Sequence, residues 1–105
     1  MAFAKAIALD EVWAGELTPV VVSGRRVVLL RTGDTVVALE DRCAHLGVRL
    51  SEGRLEGDVL TCKAHEWQYD AATGRGRNPA SARVNRYEVK IEDGHVWVDV
   101  ERVAG

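Results

Sequence analysis

Short runs of hydrophobic and β-branched residues, separated by glycine-containing turns, dominate the first forty residues. The runs cover residues 20–22, 26–30 and 36–39. Ser23-Gly24 separates the first two runs, and Thr32-Gly33-Asp34 separates the last two. Runs of this length between glycine turns are typical of β-strands joined by tight connections. This part of the chain is therefore predicted to form three consecutive strands.

The C-terminal part of the chain alternates between hydrophobic and polar residues with a period of two. Residues 87–92 carry their hydrophobic side chains at odd positions, and residues 95–100 have valine at every even position. Asp93-Gly94 lies between these two runs. An Asp-Gly pair between two alternating runs is a strong signal for a β-hairpin.

Helical periodicity is weak by comparison. No segment keeps it over ten residues, and the alanine-rich opening fits a helix or a strand equally well. Asp10 is expected to cap a single helical turn that ends at Gly15. The pattern as a whole predicts a mostly β fold of short antiparallel strands, arranged as a sandwich or a small barrel.

Composition limits the class of protein. The chain has 105 residues, of which 47% are hydrophobic and 29% charged, which indicates one folded domain and excludes disorder. The net charge of −2 argues against general nucleic-acid binding. No apolar run exceeds four residues, so no membrane-spanning helix is predicted, and residues 1–9 lack the features of a signal peptide. A cytoplasmic location is expected.

Charge is distributed unevenly along the chain. Residues 42–86 hold 8 basic and 5 acidic side chains, whereas residues 1–41 and 87–105 are both acidic on balance. Both cysteines and two of the three histidines also fall in the basic middle segment. The pattern indicates an acidic, β-rich frame around a basic insert that carries the chemistry.

Two short motifs in the insert supply metal-binding side chains. Cys43-Ala44-His45 is followed, sixteen residues later, by Cys62-Lys63-Ala64-His65. Two thiolates and two imidazoles suit either a tetrahedral zinc ion or a 2Fe-2S cluster with mixed ligands. Zinc fingers usually place both cysteines in one knuckle and both histidines on a helix. Here each knuckle has one cysteine and one histidine after a strand-like segment, which favours the cluster and leaves a zinc-stabilised interaction module as an alternative.

The order and spacing of these four residues resemble the Rieske motif. In that family two cysteines hold one iron and two histidines hold the other, so the resemblance implies that Cys43 and Cys62 bind the inner iron of one 2Fe-2S cluster, and His45 and His65 the outer iron. Several short stretches within residues 50–67, together with residues 73–79, look especially like the ferredoxins of toluene-monooxygenase-type systems.

The resemblance also implies a domain organisation. The whole chain, residues 1–105, is expected to be one Rieske domain with an antiparallel β-sandwich base, formed by residues 1–41 and 80–105. A small cluster-binding subdomain, residues 42–79, is expected to be inserted in that base. In the family a third loop closes over the cluster, and Pro79 lies where that loop should be.

Two further positions are expected to surround the cluster or form the docking surface. Respiratory Rieske proteins place a serine and a tyrosine as hydrogen-bond donors to the cluster sulfurs. Tyr69 matches the tyrosine, whereas Trp67 falls where the serine would be. Because fewer donors leave the reduced cluster less stable, we expect a reduction potential toward the low end of the Rieske range, roughly −150 mV upward.

The function implied by the resemblance is that of a monomeric ferredoxin, not an enzyme. It would carry single electrons from an NADH-dependent flavin/iron–sulfur reductase to the di-iron hydroxylase of an aromatic-hydrocarbon monooxygenase. The alternatives are the ferredoxin of an aromatic-ring-hydroxylating dioxygenase and the Rieske-like small subunit of an assimilatory nitrite reductase. The chain is too short to add the mononuclear iron domain of a Rieske oxygenase.

Overall fold

The fold contains two antiparallel sheets. A computed structural model describes residues 3–32, 35–43, 48–63, 66–78 and 82–103. Within these ranges lie 3₁₀ turns at Leu9–Glu11 and Leu50–Glu52 and ten strands. The strands are β1 (Ala4–Ala8), β2 (Thr18–Val22), β3 (Arg25–Thr32), β4 (Thr35–Glu40), β5 (Arg54–Glu56), β6 (Val59–Thr61), β7 (Gln68–Asp70), β8 (Gly76–Asn78), β9 (Arg86–Glu92) and β10 (His95–Val103).

The larger sheet has the strand order β1-β10-β9-β4-β3-β2, and every neighbouring pair is antiparallel. Its two outermost strands, β1 and β2, also contact each other, so the sheet curls around its own core. The three predicted N-terminal strands are β2, β3 and β4. The predicted hairpin is β9–β10, where Asp93 and Gly94 both have positive φ, as a two-residue type I′ turn requires. The predicted mostly β, antiparallel fold is confirmed.

The N-terminal segment is a strand and lacks the helical cap that was expected at Asp10. Residues 4–8 form a strand, and Asp10 lies inside a 3₁₀ turn whose N-cap position is held by Ala8, without a side-chain hydrogen bond. The expected cap at Asp10 is therefore wrong. The reason is tertiary, because β1 pairs with β10 from Ala4↔Val98 to Ala8↔His95, and this pairing overrides the weak helical preference of the alanines.

The smaller sheet has the order β5-β6-β7-β8 and lies between β4 and β9 in the chain. All of its strands fall within residues 54–78, inside the segment predicted as an insert. The division of the chain at residues 42 and 79 stays a prediction of the sequence.

Strands β3 and β4 are buried on both faces because each face covers a different core. One face packs into the base core, which comprises Val12, Val22, Val27, Leu29, Val36, Ala38, Tyr87, Val96, Val98 and Val100. The other face packs into the site core, which comprises Val28, Leu30, Val37, Leu39, Cys43, Leu50, Leu60, Cys62, Tyr69, Ala71, Ala82 and Val84. Burial on both faces explains why these strands are continuous hydrophobic runs and not alternating ones.

Across the described part of the chain, no helix reaches the length and apolar character that a membrane span requires.

Candidate metal centre

The two cysteines lie in the same buried cluster of side chains. Cys43 follows the end of β4 and Cys62 directly follows β6, and both are fully buried in the site core. The structure therefore brings together two of the four predicted ligands from segments nineteen positions apart in the sequence. His45, His65 and Pro79 lie outside the described residues.

Each cysteine begins a short loop that is closed by a backbone hydrogen bond of the same kind. The amide of Cys43 donates to the carbonyl of Val48 at 2.7 Å, and the amide of Cys62 donates to the carbonyl of Trp67 at 2.7 Å. Both bonds join a residue to the fifth residue after it, so the two loops have equal size. In the sequence, the histidine of each motif falls between the two ends of its loop.

A buried hydroxyl group contacts one of the two sulfur atoms. The Oη of Tyr69, in the middle of β7, lies 3.4 Å from the Sγ of Cys43, and both residues are fully buried. Either atom can donate in this contact while Cys43 carries its proton. A thiolate accepts only, so the Tyr69 hydroxyl would be the donor to a Cys43 thiolate. Trp67 is half-buried and packs against the same core.

The buried carboxylate of Asp41, two residues before Cys43, binds the 3₁₀ turn that follows the Cys43 loop. Asp41 is 3% exposed, and its two carboxylate oxygens accept hydrogen bonds from the backbone N–H and the hydroxyl of Ser51, both at 2.7 Å. Ser51 lies in the 3₁₀ turn Leu50–Glu52. Sequence reasoning missed this pair. The only signal for it was an acidic residue two positions before a predicted ligand.

Gly53 allows the chain segment that leads into Cys62 to approach the same turn. A methyl group in place of its hydrogen would overlap the backbone oxygen of Thr61 and approach the carbonyl oxygen of Leu50 at 3.2 Å. Only a residue without Cβ can therefore occupy this position. Gly53 and the Asp41–Ser51 pair together keep the two cysteine loops in contact with one turn.

Replacing Asp41 by asparagine is expected to lower the free energy of unfolding by about 2 kcal/mol, because the neutral amide is a weaker acceptor for the Ser51 amide and hydroxyl. Urea unfolding of the purified protein measures this loss. Asp58 is exposed, and Asp58→Asn, which makes the same chemical change, should alter stability by less than about 0.5 kcal/mol. Equal stability of the two variants would contradict the role given to Asp41.

His95, the third histidine, lies at the start of β10, where its Nδ1 lies 2.9 Å from the carbonyl oxygen of Asp93. It belongs to the β9–β10 hairpin and not to the site core. Among the residues that the structure describes, no group of three histidine, cysteine or acidic side chains could hold a metal ion. The described part of the site thus contributes two buried cysteine sulfur atoms.

The environment of the two cysteines fits an iron–sulfur cluster. Such a cluster needs thiolate ligands in a water-poor environment and hydrogen-bond donors toward its sulfur atoms. Two fully buried cysteine sulfur atoms in an apolar core, with the Tyr69 hydroxyl beside one of them, fit both requirements.

Known proteins match the chain over nearly its whole length. A family model described as "Rieske [2Fe-2S] domain" matches residues 2–88. The ferredoxin component of the alkene monooxygenase system of Xanthobacter autotrophicus (strain ATCC BAA-1158 / Py2) is 38% identical over 95 residues, which cover 90% of this chain and 78% of that protein. The ferredoxin component of the naphthalene 1,2-dioxygenase system of Pseudomonas putida is 31% identical over 97 residues, or 91% of this chain and 93% of that protein.

The fold is likewise similar to that of solved proteins. A chain in the complex of reduced oxygenase and oxidized ferredoxin in carbazole 1,9a-dioxygenase superposes with a TM-score of 0.87 at 30% identity, covering 98% of this chain and 97% of that chain. The similarity therefore extends over nearly the whole chain, both sheets included.

Proposed function

The chain belongs to the Rieske [2Fe-2S] family, and from that premise we propose that it is the ferredoxin that passes electrons from an NADH-dependent reductase to the hydroxylase of a hydrocarbon monooxygenase. The two relatives named above are ferredoxin components of oxygenase systems, so the chain is an electron carrier and not a catalytic subunit. The observation that carries the proposal is the meeting of Cys43 and Cys62 in one buried core, each at the start of a loop of the same size.

The proposed ligands are the four residues of the two motifs. Cys43 and Cys62 would hold one iron of the cluster, and His45 and His65 the other. When bound, the cluster supplies a centre that accepts and releases one electron at a time. The protein contributes a dry environment on the cysteine side, because both cysteines and Tyr69 are fully buried. A partner cannot reach the cysteine side, so the histidine side is the proposed exit for the electron.

The proposed electron acceptor, a monooxygenase, is chosen by comparing the sequence identities to a monooxygenase ferredoxin and to a dioxygenase ferredoxin. The alkene monooxygenase ferredoxin is 38% identical to this chain and the naphthalene dioxygenase ferredoxin 31%, which favours a monooxygenase. An aromatic hydrocarbon as its substrate, a monomeric state and a cytoplasmic location complete the proposal. The second candidate, a ring-hydroxylating dioxygenase as acceptor, is supported by the structural similarity to the ferredoxin-oxygenase complex of carbazole 1,9a-dioxygenase.

Visible absorption and EPR spectra before and after dithionite test the cluster itself. We expect a red-brown protein whose reduced form gives a rhombic signal with the low average g value of a cluster ligated by both cysteine and histidine. A colourless protein that contains zinc and gives no EPR signal would overturn the electron-carrier function and leave a zinc-stabilised module.

The acceptor can be tested separately with purified components of the two related systems. The reduced protein is mixed with the terminal oxygenase of the alkene monooxygenase system or with that of naphthalene 1,2-dioxygenase, and reoxidation is followed by absorbance. Faster reoxidation by the monooxygenase is expected. The reverse order would assign the chain to the dioxygenase class.

Replacing Tyr69 by phenylalanine is expected to lower the reduction potential by roughly 20 to 60 mV. The hydroxyl at 3.4 Å from the Cys43 sulfur favours the more negative, reduced state, and losing about 0.5 to 1.5 kcal/mol of that preference corresponds to this shift for one electron. A redox titration followed by visible spectroscopy measures it. Tyr87, in the base core, provides the control, since Tyr87→Phe should leave the potential unchanged. A potential unaffected by Tyr69→Phe would show that this hydroxyl does not act on the cluster.

A further inference from the structure

The carboxylate of Asp41 places a negative charge inside the protein. Asp41 is 3% exposed, and each of its two carboxylate oxygens accepts one hydrogen bond from Ser51 at 2.7 Å. One of the two donors is a backbone N–H, which can only donate, and distances this short are typical of hydrogen bonds to an ionised acceptor. The two bonds therefore stabilise Asp41 in its charged form.

In the part of the chain that the structure describes, no ion pair neutralises this charge. The ion pairs there join Arg54, Lys63 and Lys90 to glutamates, and none of them includes Asp41. Arg42, the next residue in the sequence, is exposed. Because a charge that is removed from water is screened far less than one at the surface, the field of the Asp41 carboxylate extends into the protein interior.

The interior next to Asp41 is the site core, which holds both cysteines. Asp41 is two residues from Cys43, and two residues of chain span at most about 7 Å. Its hydrogen-bond partner Ser51 directly follows Leu50, which is fully buried in the site core with Cys43 and Cys62. Since Asp41 and Cys43 are both buried, the medium between this carboxylate and the cysteine side of the proposed cluster is protein and not bulk water.

We infer that the buried charge of Asp41 lowers the reduction potential of the cluster and so makes the reduced protein a stronger electron donor. This inference rests on the proposed function. A 2Fe-2S centre with two thiolate and two neutral imidazole ligands has no net charge when oxidised and one negative charge when reduced. The electron comes from the reductase, which is thereby oxidised, and passes to the oxygenase, which is thereby reduced. A fixed negative charge nearby raises the energy of the reduced state, which favours the transfer to the oxygenase.

The charge of Asp41 and its hydrogen bonds can be removed separately. Asp41→Asn removes the charge and keeps a carbonyl oxygen as acceptor for the Ser51 amide. Ser51→Ala removes the hydroxyl donor and keeps both the charge and the backbone N–H bond. An effect of the charge on the cluster requires the first variant alone to raise the potential, whereas an effect of the anchored turn requires both variants to do so.

Redox titration of the holoprotein, followed by visible absorption, measures the effect of the charge. Asp41→Asn is expected to shift the reduction equilibrium about fivefold to fiftyfold toward the reduced form, which is about 40 to 100 mV upward at 59 mV per factor of ten for one electron. The shift should persist at about 500 mM salt, because salt screens a buried charge only weakly. The EPR spectrum of the reduced variant should stay that of the wild-type protein, since the ligands are unchanged.

Asp58→Asn is the matched control, because it makes the same chemical change at an exposed acid four positions before Cys62. It should shift the reduction equilibrium less than about twofold, and this shift should vanish at about 500 mM salt. A potential unchanged in Asp41→Asn, or a shift of equal size in Asp41→Asn and Asp58→Asn, would overturn the inference.

Ser51→Ala separates the effect of the charge from that of the anchored turn. Like Asp41→Asn, it should lower the urea midpoint of unfolding, but its potential should stay at or below the wild-type value. A rise in Ser51→Ala equal to that in Asp41→Asn would overturn the inference, because loosening of the turn would then explain both.

The Ser51→Ala titration also decides the matter if Asp41→Asn binds no cluster. A potential at or below the wild-type value supports the inference, and a raised potential overturns it. Failure of the proposed function is distinguishable, since the wild-type protein would then show no visible cluster absorption to titrate. Failure of this inference alone leaves a wild-type protein that titrates normally.

Discussion

Replacing Cys62 by alanine is expected to give a colourless protein that binds no iron, in place of a wild-type protein with two irons per chain. Cys62 is fully buried in the site core and is one of the two proposed thiolate ligands of the same iron. With one thiolate missing, that iron keeps a single protein ligand, and water cannot replace the sulfur in an apolar, buried position. Iron analysis and the visible spectrum of the purified variant measure the loss.

The three histidines provide the control for this experiment. His45→Ala and His65→Ala are expected to lose the cluster as Cys62→Ala does, whereas His95→Ala should keep the wild-type iron content and EPR signal. His95 lies in the β9–β10 hairpin and contacts the carbonyl oxygen of Asp93. A cluster retained in Cys62→Ala, or lost in His95→Ala alone, would falsify the assignment of the four ligands.

Gly53→Ala is expected to lower the free energy of unfolding by about 3 kcal/mol or more and to reduce the amount of bound cluster. The added methyl group would overlap the backbone oxygen of Thr61, and neither this backbone nor that of the adjacent turn Leu50–Glu52 can move without shifting Cys62. Clashes of this kind with the backbone belong to the severe class of substitutions. Urea unfolding, together with the ratio of iron to protein, gives both effects.

Gly57→Ala is the matched control for Gly53→Ala. Gly57 lies in the turn between β5 and β6 with a φ of +61°, and a Cβ there would meet nothing within 4 Å. Its replacement should cost only the strain of a left-handed backbone, roughly 1 to 2 kcal/mol, with the cluster content unchanged. If Gly57→Ala proved as damaging as Gly53→Ala, the close contact with Thr61 would not be the reason for glycine at position 53.

Much of the larger sheet could be predicted from the sequence because its signals are local. The two-residue turns at Ser23-Gly24 and Asp93-Gly94 have positive φ at both residues, so the residue types that favour such turns already mark the hairpins β2–β3 and β9–β10. The opening strand β1 could not be assigned in the same way. It is a strand because it pairs with β10, which lies about ninety residues away in the chain.

The two cysteine–histidine motifs are equally local. Their residue types limited the site to a zinc ion or a 2Fe-2S cluster with mixed ligands, and the resemblance of their order and spacing to the Rieske motif favoured the cluster. Ligand type is a property of the side chains themselves, so it can be read without coordinates. The resemblance already singled out Tyr69 as a hydrogen-bonding residue of the site, but only the coordinates show that its hydroxyl lies beside the sulfur of Cys43. The anchoring of the Cys43 loop by Asp41 and Ser51 and the contact between Gly53 and Thr61 could not be read from the sequence. Each joins residues that are at least eight positions apart.

The sequence by itself thus determined the strands with local turn signals, the two ligand motifs and the basic character of the segment between the acidic flanks. Tertiary structure alone decided that β3 and β4 are shared between two cores, that both cysteines are buried in one of these cores, and that Arg75 and Arg83 oppose each other. The physical reason is that turn preference and metal-ligand chemistry reside in single residues and short spacings. Burial and side-chain pairing depend instead on which distant segments the folded backbone brings together.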